Sequence, residues 1–170
     1  MMFQVGEYVV CGSRAVCRVE AIGPLRFKEC GGGEYYTLCP PFTSSEEKIY
    51  VPVDTALPIR RIVTGREALE ALCCLEEAGE GPGAENPRMS LERYKEMLSS
   101  CDIREELKLF RELYRKEQGT GESRKRLTQA DVTYYKLVER LLCDEFSLAL
   151  GETWERVMER LYDAVSGRRG

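Results

Sequence analysis

The 170-residue chain contains no histidine. That absence removes the commonest general base and the usual partner of a serine or cysteine nucleophile. Acid-base work by carboxylates or lysines is left in principle, but the acids stand beside Lys and Arg at helical spacings, which is the pattern of solvated faces. The sequence therefore argues against an enzyme, and no small-molecule substrate is expected. A clustered metal site is also lacking. The eight cysteines (Cys11, Cys17, Cys30, Cys39, Cys73, Cys74, Cys101 and Cys143) are even in number, yet no C-x-x-C and no Cys/His cluster occurs. No loop then presents two thiolates to one zinc ion, so ordinary reduced thiols are expected, with no metal and no cofactor. Cys17, inside a strand pattern, reads as core. No apolar run approaches the roughly 18 to 20 residues of a membrane span, and the N-terminus lacks a basic region followed by a long apolar stretch. A cytoplasmic protein without membrane contact is the expectation.

What the chain does have is room for one good core or two small ones, at 43% apolar and 32% charged residues. Its first sixty-odd residues are a run of short β-type segments. Tyr8–Cys11 and Ala15–Ile22 are rich in β-branched residues and joined by Gly12-Ser13-Arg14. Gly23-Pro24 breaks the second segment, and Glu34–Cys39 has the aromatic and β-branched content of a third. Lys48–Pro52 reads as a fourth strand and Pro58–Ile62 as a short fifth, with Pro52 admissible only at an edge or strand end. Five short strands with glycine at the turns predict a small half-open barrel of the SH3 or Tudor type.

From Thr64 onward the period changes to that of helices. Thr64 with Glu67 forms a capping box ahead of Ala68, Leu69, Leu72 and Leu75. Residues 78–87, with three glycines and two prolines, read as a flexible loop. Ser90 is expected to cap a helix bearing Tyr94, Met97 and Leu98, and Asp102 with Glu105 to box another bearing Leu107, Phe110 and Tyr114. Thr128 with Asp131 starts the longest helix, which Gly151 ends, and the last helix collects Trp154, Val157, Met158, Leu161 and Tyr162 on one stripe. Trp154 is therefore expected to be structural. The fold class predicted is α+β: a five-stranded barrel over residues 1–64, then an all-helical bundle over 65–170.

Charge is uneven along the chain. Residues 1–64 are balanced, with seven Lys/Arg and seven Asp/Glu, and residues 65–87 carry one against six. Residues 88–126 invert the sign, with eleven Lys/Arg against eight Asp/Glu, a net +3. A locally basic stretch can meet phosphates through counterion release, although strong sequence-independent binders usually carry a larger excess. By composition alone a solvated face is favoured. Were nucleic acid bound, the best candidates would be Arg88, Arg93 and Lys95 together with Arg124, Lys125 and Arg126.

Four stretches in order, FQVGEYVVCGSRAVCRVEAI, EYYTLCP, KIYVPVD and, from Glu92, ERYKEMLSSCD, resemble the CarD/CdnL family of bacterial transcription regulators, and FRELYRKEQGTG extends the likeness. The resemblance implies an N-terminal Tudor-like module, shared with the transcription-repair coupling factor, that binds the RNA polymerase β subunit by edge-to-edge strand pairing. It places that contact on Lys48, Ile49, Tyr50 and Val51, with Arg26 and Tyr50 as side-chain contacts; many relatives have arginine at the position of Tyr50. It also implies a helical domain lying on promoter DNA at the upstream edge of the melted region, where a tryptophan of relatives wedges into the minor groove. Here that position is Ser90, which cannot be a wedge, and Met89 beside it is the only apolar substitute. Two basic positions of relatives are Glu92 and Val132, whereas Arg93 and Lys95 fit the pattern. The expectation is a regulator that docks on polymerase and touches promoter DNA to shift open-complex stability. The alternative is a protein-protein adaptor that binds through the barrel edge without DNA.

Overall fold

The structure, a computed structural model, describes residues 3–12, 15–26, 32–43, 46–77, 87–118 and 127–167. The chain divides into two compact units, Met1–Ile62 and Val63–Gly170.

The first unit is one antiparallel sheet built from β1 (Tyr8–Cys11), β2 (Ala15–Gly23), β3 (Tyr35–Cys39), β4 (Ile49–Pro52) and β5 (Ile59–Arg61), in the order β4-β3-β2-β1-β5. Period-2 alternation decides what is buried. On β3, Tyr36 and Leu38 are buried while Tyr35, Thr37 and Cys39 are half-buried. Tyr36 and Leu38 join Phe3, Val9, Cys11, Cys17, Val19 and Val51 in one apolar cluster. Cys17 is thus a core residue, as its strand pattern suggests. Phe3 stands edge-on to Tyr36 with ring centroids 5.5 Å apart, and the Arg61 guanidinium lies 5.4 Å from the Phe3 centroid. Strand count and positions follow the sequence closely, but the expected barrel is not closed. Strands β4 and β5 are the two ends of the sheet, and no ladder joins them among the described residues. Pro52 and Pro58 bracket their connection, and neither has an N–H to give to a closing ladder.

The second unit has five helices: α1 (Gly65–Glu77), α2 (Pro87–Ser99), α3 (Ile103–Gln118), α4 (Gln129–Leu150) and α5 (Trp154–Ser166). Their apolar stripes meet in one core that includes Ala68, Leu72, Tyr94, Leu98, Phe110, Leu113, Leu142, Phe146, Val157 and Leu161. Trp154 packs partly against this core and donates its indole N–H to Asp144 Oδ1 at 3.2 Å, which makes it a structural residue. Burial raises the Asp144 carboxyl above its usual range, partly offset by that indole bond.

Capping decides where the helices start. The Thr64 amide donates to Glu67 Oε2 at 2.8 Å and the Glu67 amide to Thr64 Oγ1 at 3.2 Å, closing the predicted box. Thr128 and Asp131 close a second one, and Gly151 ends α4 at φ 64° in the left-handed region, where a side chain would be strained. A Cβ on Gly65 would come to 3.0 Å from the Ala149 carbonyl oxygen, a tight contact, so glycine suits the close approach of α1 to the end of α4. Two expectations need correction. Ser90 does not cap α2, because the helix already starts at Pro87, a residue suited to the first helical turn where its missing N–H costs nothing. Asp102 does cap α3, accepting the Arg104 amide at 2.8 Å, but Glu105 turns outward to Lys108 at 3.1 Å and closes no box. Of the expected loop at 78–87, Pro87 belongs to α2 and the rest lies outside the described residues.

Candidate functional site: a sheet edge and a basic helical face

Strand β4, which carries the expected contact residues, stands at one end of the sheet. It pairs with β3 in the register Tyr35↔Pro52, Tyr36↔Val51, Thr37↔Tyr50 and Leu38↔Ile49. Beyond the strand, the Val53 amide donates to the Glu34 carbonyl at 3.0 Å. Antiparallel ladders alternate between hydrogen-bonded and non-hydrogen-bonded pairs, so Val53, Val51 and Ile49 direct their main-chain groups toward β3 while Pro52 and Tyr50 direct theirs away from it. This explains how a proline is tolerated here: Pro52 stands where no ladder donor is required. Tyr50 correspondingly turns its main-chain N–H and C=O to the outer edge.

The alternation also sorts the side chains. Val51 is buried in the sheet core and Ile49 packs partly against it, whereas Tyr50 is half-buried on the opposite face. Val51 and Ile49 are thus tied to their own sheet through both main chain and side chain. Lys48, just before β4, is exposed, with its ammonium 3.0 Å from Glu20 Oε2. Arg26 is exposed in the turn that follows β2, at the sheet end where Gly23 pairs with Tyr35 and Tyr35 with Pro52.

Glu20, absent from the sequence-level candidates, organises the approach to this edge. The β2–β3 register shifts between Val19 and Ala21, so Glu20 is the extra residue of a bulge. The bulge turns its carboxylate toward β3 and β4, where it accepts a bond from the Cys39 thiol at 3.2 Å as well as from Lys48. The three groups adjust one another. Bonds from Cys39 and Lys48 hold the Glu20 carboxyl below its usual range, the Glu20 carboxylate raises the Lys48 ammonium, and burial together with Glu20 raises the Cys39 thiol. Cys39 is therefore kept as a protonated donor.

The basic candidates of the second unit are described only in part. Arg88, Met89 and Ser90 fall in the first turn of α2, with side chains outside the described residues, and Arg124, Lys125 and Arg126 lie wholly outside them. Arg93 and Lys95 are both exposed on α2. Arg93 Nη2 is engaged at 2.7 Å by Glu112 Oε1 of α3. Lys116 is likewise committed, reaching Asp131 Oδ2 at 2.7 Å. Among the described residues Lys95 and Arg104 make no ion pair. Among the described cations of residues 88–126, Arg93, Lys108 and Lys116 are thus held by carboxylates of the same unit.

Asp131 is the second residue that sequence reasoning saw only in part, as a helix cap. It is 1% exposed and accepts from the Tyr94 hydroxyl at 3.0 Å and from the Thr128 amide at 2.9 Å, besides binding Lys116. Burial alone would raise its pKa, but the Lys116 ammonium and the Thr128 bonds outweigh it and hold the carboxyl below its usual range. One carboxylate thereby ties α2, α3 and the start of α4 together. No group of three or more metal-ligating side chains occurs among the described residues, and no described helix is long and apolar enough to cross a membrane.

No curated protein matches the chain. Residues 3–63 match the family model of the CarD-like/TRCF RID domain, a transcription-related module, and this bears out the resemblance over the first unit.

Proposed function

We propose that the chain is a transcription regulator of bacterial cytoplasm that docks on RNA polymerase through its first unit, with the β subunit as partner and the β4 edge as the point of contact. The observation that carries this reading is the coincidence of a match to the CarD-like/TRCF RID domain with a terminal strand whose Tyr50 turns its main-chain groups outward. An open edge binds by completing a ladder, so its affinity comes from main-chain bonds and its specificity from neighbouring side chains. Tyr50, Lys48 and Arg26 are the side chains we assign to specificity, while Ile49 and Val51 hold the edge in place. Residues 1–64 act as a Tudor-like polymerase-interacting domain, curled as a half-open barrel. Residues 65–170 act as a helical domain, with Arg93 and Lys95, flanked by Arg88 and Met89, touching upstream promoter DNA. Favouring the open state by about 1.4 kcal/mol shifts the open-to-closed ratio tenfold, which modest contacts can supply without any catalytic group.

Capture of purified polymerase β subunit tests the docking. Tyr50→Pro removes the outward N–H of the strand and should abolish capture in a variant that circular dichroism shows to be folded. Tyr50→Ser, which keeps the main chain, should weaken capture without abolishing it. Failure of the wild-type chain to bind the β subunit would sink the reading.

The engagement of Arg93 by Glu112, with Ser90 at the wedge position, favours a second reading in which the helical unit meets another protein and the chain is an adaptor. A salt-sensitive mobility shift of promoter DNA by the full chain supports the DNA reading, because phosphate contacts weaken steeply with salt. Absence of any shift at low salt supports the adaptor.

A further inference from the structure

The pairing of Arg93 with Glu112 has the geometry of an internal competitor for an anion. Arg93 is one of two exposed cations on the described part of α2, and its side chain is half exposed at 50%, yet its guanidinium is met at 2.7 Å by a carboxylate whose own side chain is only 22% exposed. The other oxygen of that carboxylate, Glu112 Oε2, is buried with no hydrogen-bond partner. Glu112 therefore depends on Arg93 for its strongest bond. The contact is also pre-organised. It joins two helices across 19 residues of sequence, and the corner between them is sharp, since α2 ends at Ser99, α3 begins at Ile103 and Cys101 between them holds a φ of 57°. The pair Lys108–Glu105, by contrast, is a local three-residue step along one helix whose partners can separate by side-chain rotation.

We infer that Glu112 is an autoinhibitory latch that occupies Arg93 in place of a nucleic-acid phosphate, so that the helical face meets DNA only when a phosphate outcompetes a half-buried carboxylate. This rests on the DNA-contact reading above and gives that contact its regulation. To reach a phosphate Arg93 must leave Glu112 behind in a partly desolvated site with only the charge of neighbouring Arg111 to offset it, and that cost is subtracted from every DNA contact the residue makes. Replacement of Glu112 by a neutral amide removes the cost while keeping the shape of the side chain. Once the arginine is released, it adds about one phosphate contact to the footprint.

The test uses the full chain and a labelled mixed-sequence duplex, with binding followed by fluorescence anisotropy over a range of salt. Glu112→Gln is expected to tighten binding about three- to tenfold at low salt. It should also steepen the dependence of log affinity on log salt by about 0.9. In the Arg93→Gln background the same substitution should give no gain, because a double-mutant cycle isolates the pair from the general effect of deleting one negative charge. Circular dichroism establishes that each variant folds. If wild type binds DNA and Glu112→Gln gains nothing, or gains as much without Arg93, the latch is refuted while the DNA contact stands. If neither wild type nor Glu112→Gln binds the duplex at low salt, the DNA reading itself falls and the latch with it.

Discussion

The two units handle polar groups in opposite ways. In the sheet unit the ion pairs of Glu7 with Arg61 and of Glu20 with Lys48 lie at the surface. The helical unit instead buries acids: Glu106, Asp131 and Glu145 are each 1% exposed or less. Glu145 Oε1 accepts the amide of Val63, the first residue of its unit, at 2.9 Å across 82 residues of sequence. The difference follows from how each architecture uses its backbone. A sheet leaves main-chain donors and acceptors along its terminal strands, so a partner can be bound with few demands on side chains. A helix consumes its main-chain groups internally except at its ends, so the faces of the second unit's helices meet a partner through side chains. Arg93 and Lys116 among those side chains are held by internal carboxylates. On the proposed reading the edge binds as built, whereas Arg93 must first give up Glu112.

If the units are energetically separate, damage to one core should leave the other's work intact, and the largest effect tests that. Phe146→Ala, which empties a fully buried position, should cost the helical unit about 3–5 kcal/mol. Thermal unfolding followed through the lone Trp154 should register the loss, while capture of polymerase β subunit by the sheet edge persists at temperatures where that unit remains folded. Loss of capture together with the helical unit would mean that the contrast is not one of independent parts.

Next in size is the buried carboxylate that joins three helices. Asp131→Asn leaves Lys116 without its partner and should cost about 2–3 kcal/mol at neutral pH. The folded-state pKa of Asp131 is depressed, so its contribution is fully present above the unfolded carboxyl value near 4 and disappears as pH falls through the lower folded value. Acid unfolding of wild type should thus show a loss of stability below about pH 4 that is flattened in the variant. Equal acid limbs in the two proteins would contradict the assignment.

A smaller effect sits at the start of the helical unit. Thr64→Ala removes the side-chain half of the first capping box and should cost about 1 kcal/mol, measured as a shift in the urea midpoint of that unit. The smallest concerns the sheet surface. Glu20→Gln relieves one of the two causes that raise the Cys39 thiol and leaves burial, the larger one. Alkylation of Cys39 should then set in at modestly lower pH, with folding stability little changed, as expected for a surface group. No shift in the alkylation profile would show that the bulge does not aim Glu20 at the thiol.

How much of this was readable beforehand depended on distance along the chain. Five strands and five helices were legible, because alternation, the three- and four-residue step and capping boxes such as Thr64 with Glu67 act within a few positions. The start of α2 was misread at Ser90 because a proline among glycines looks like loop, although the same residue serves as a first helical turn. The candidate site was legible only in outline. Tyr50 stood out as part of a strand, but that its main chain faces outward while Val51 faces inward required the β3–β4 register. A half-open barrel was likewise expected from strand count, and strand count does not say whether the two end strands meet.

By itself, then, the sequence determined the inventory of elements, the change from a period of two to one of 3.6 near Thr64, the absence of histidine chemistry and the likeness of residues 3–63 to a transcription-related module. Tertiary structure alone decided which of the described cations are occupied and which strands end the sheet. Glu20 meets Cys39, and Arg93 meets Glu112, each across 19 residues. A bulge in one unit and a tight helical corner in the other create those meetings, and neither is encoded in local propensity, because a charge finds its partner only after the chain between them has been folded into register.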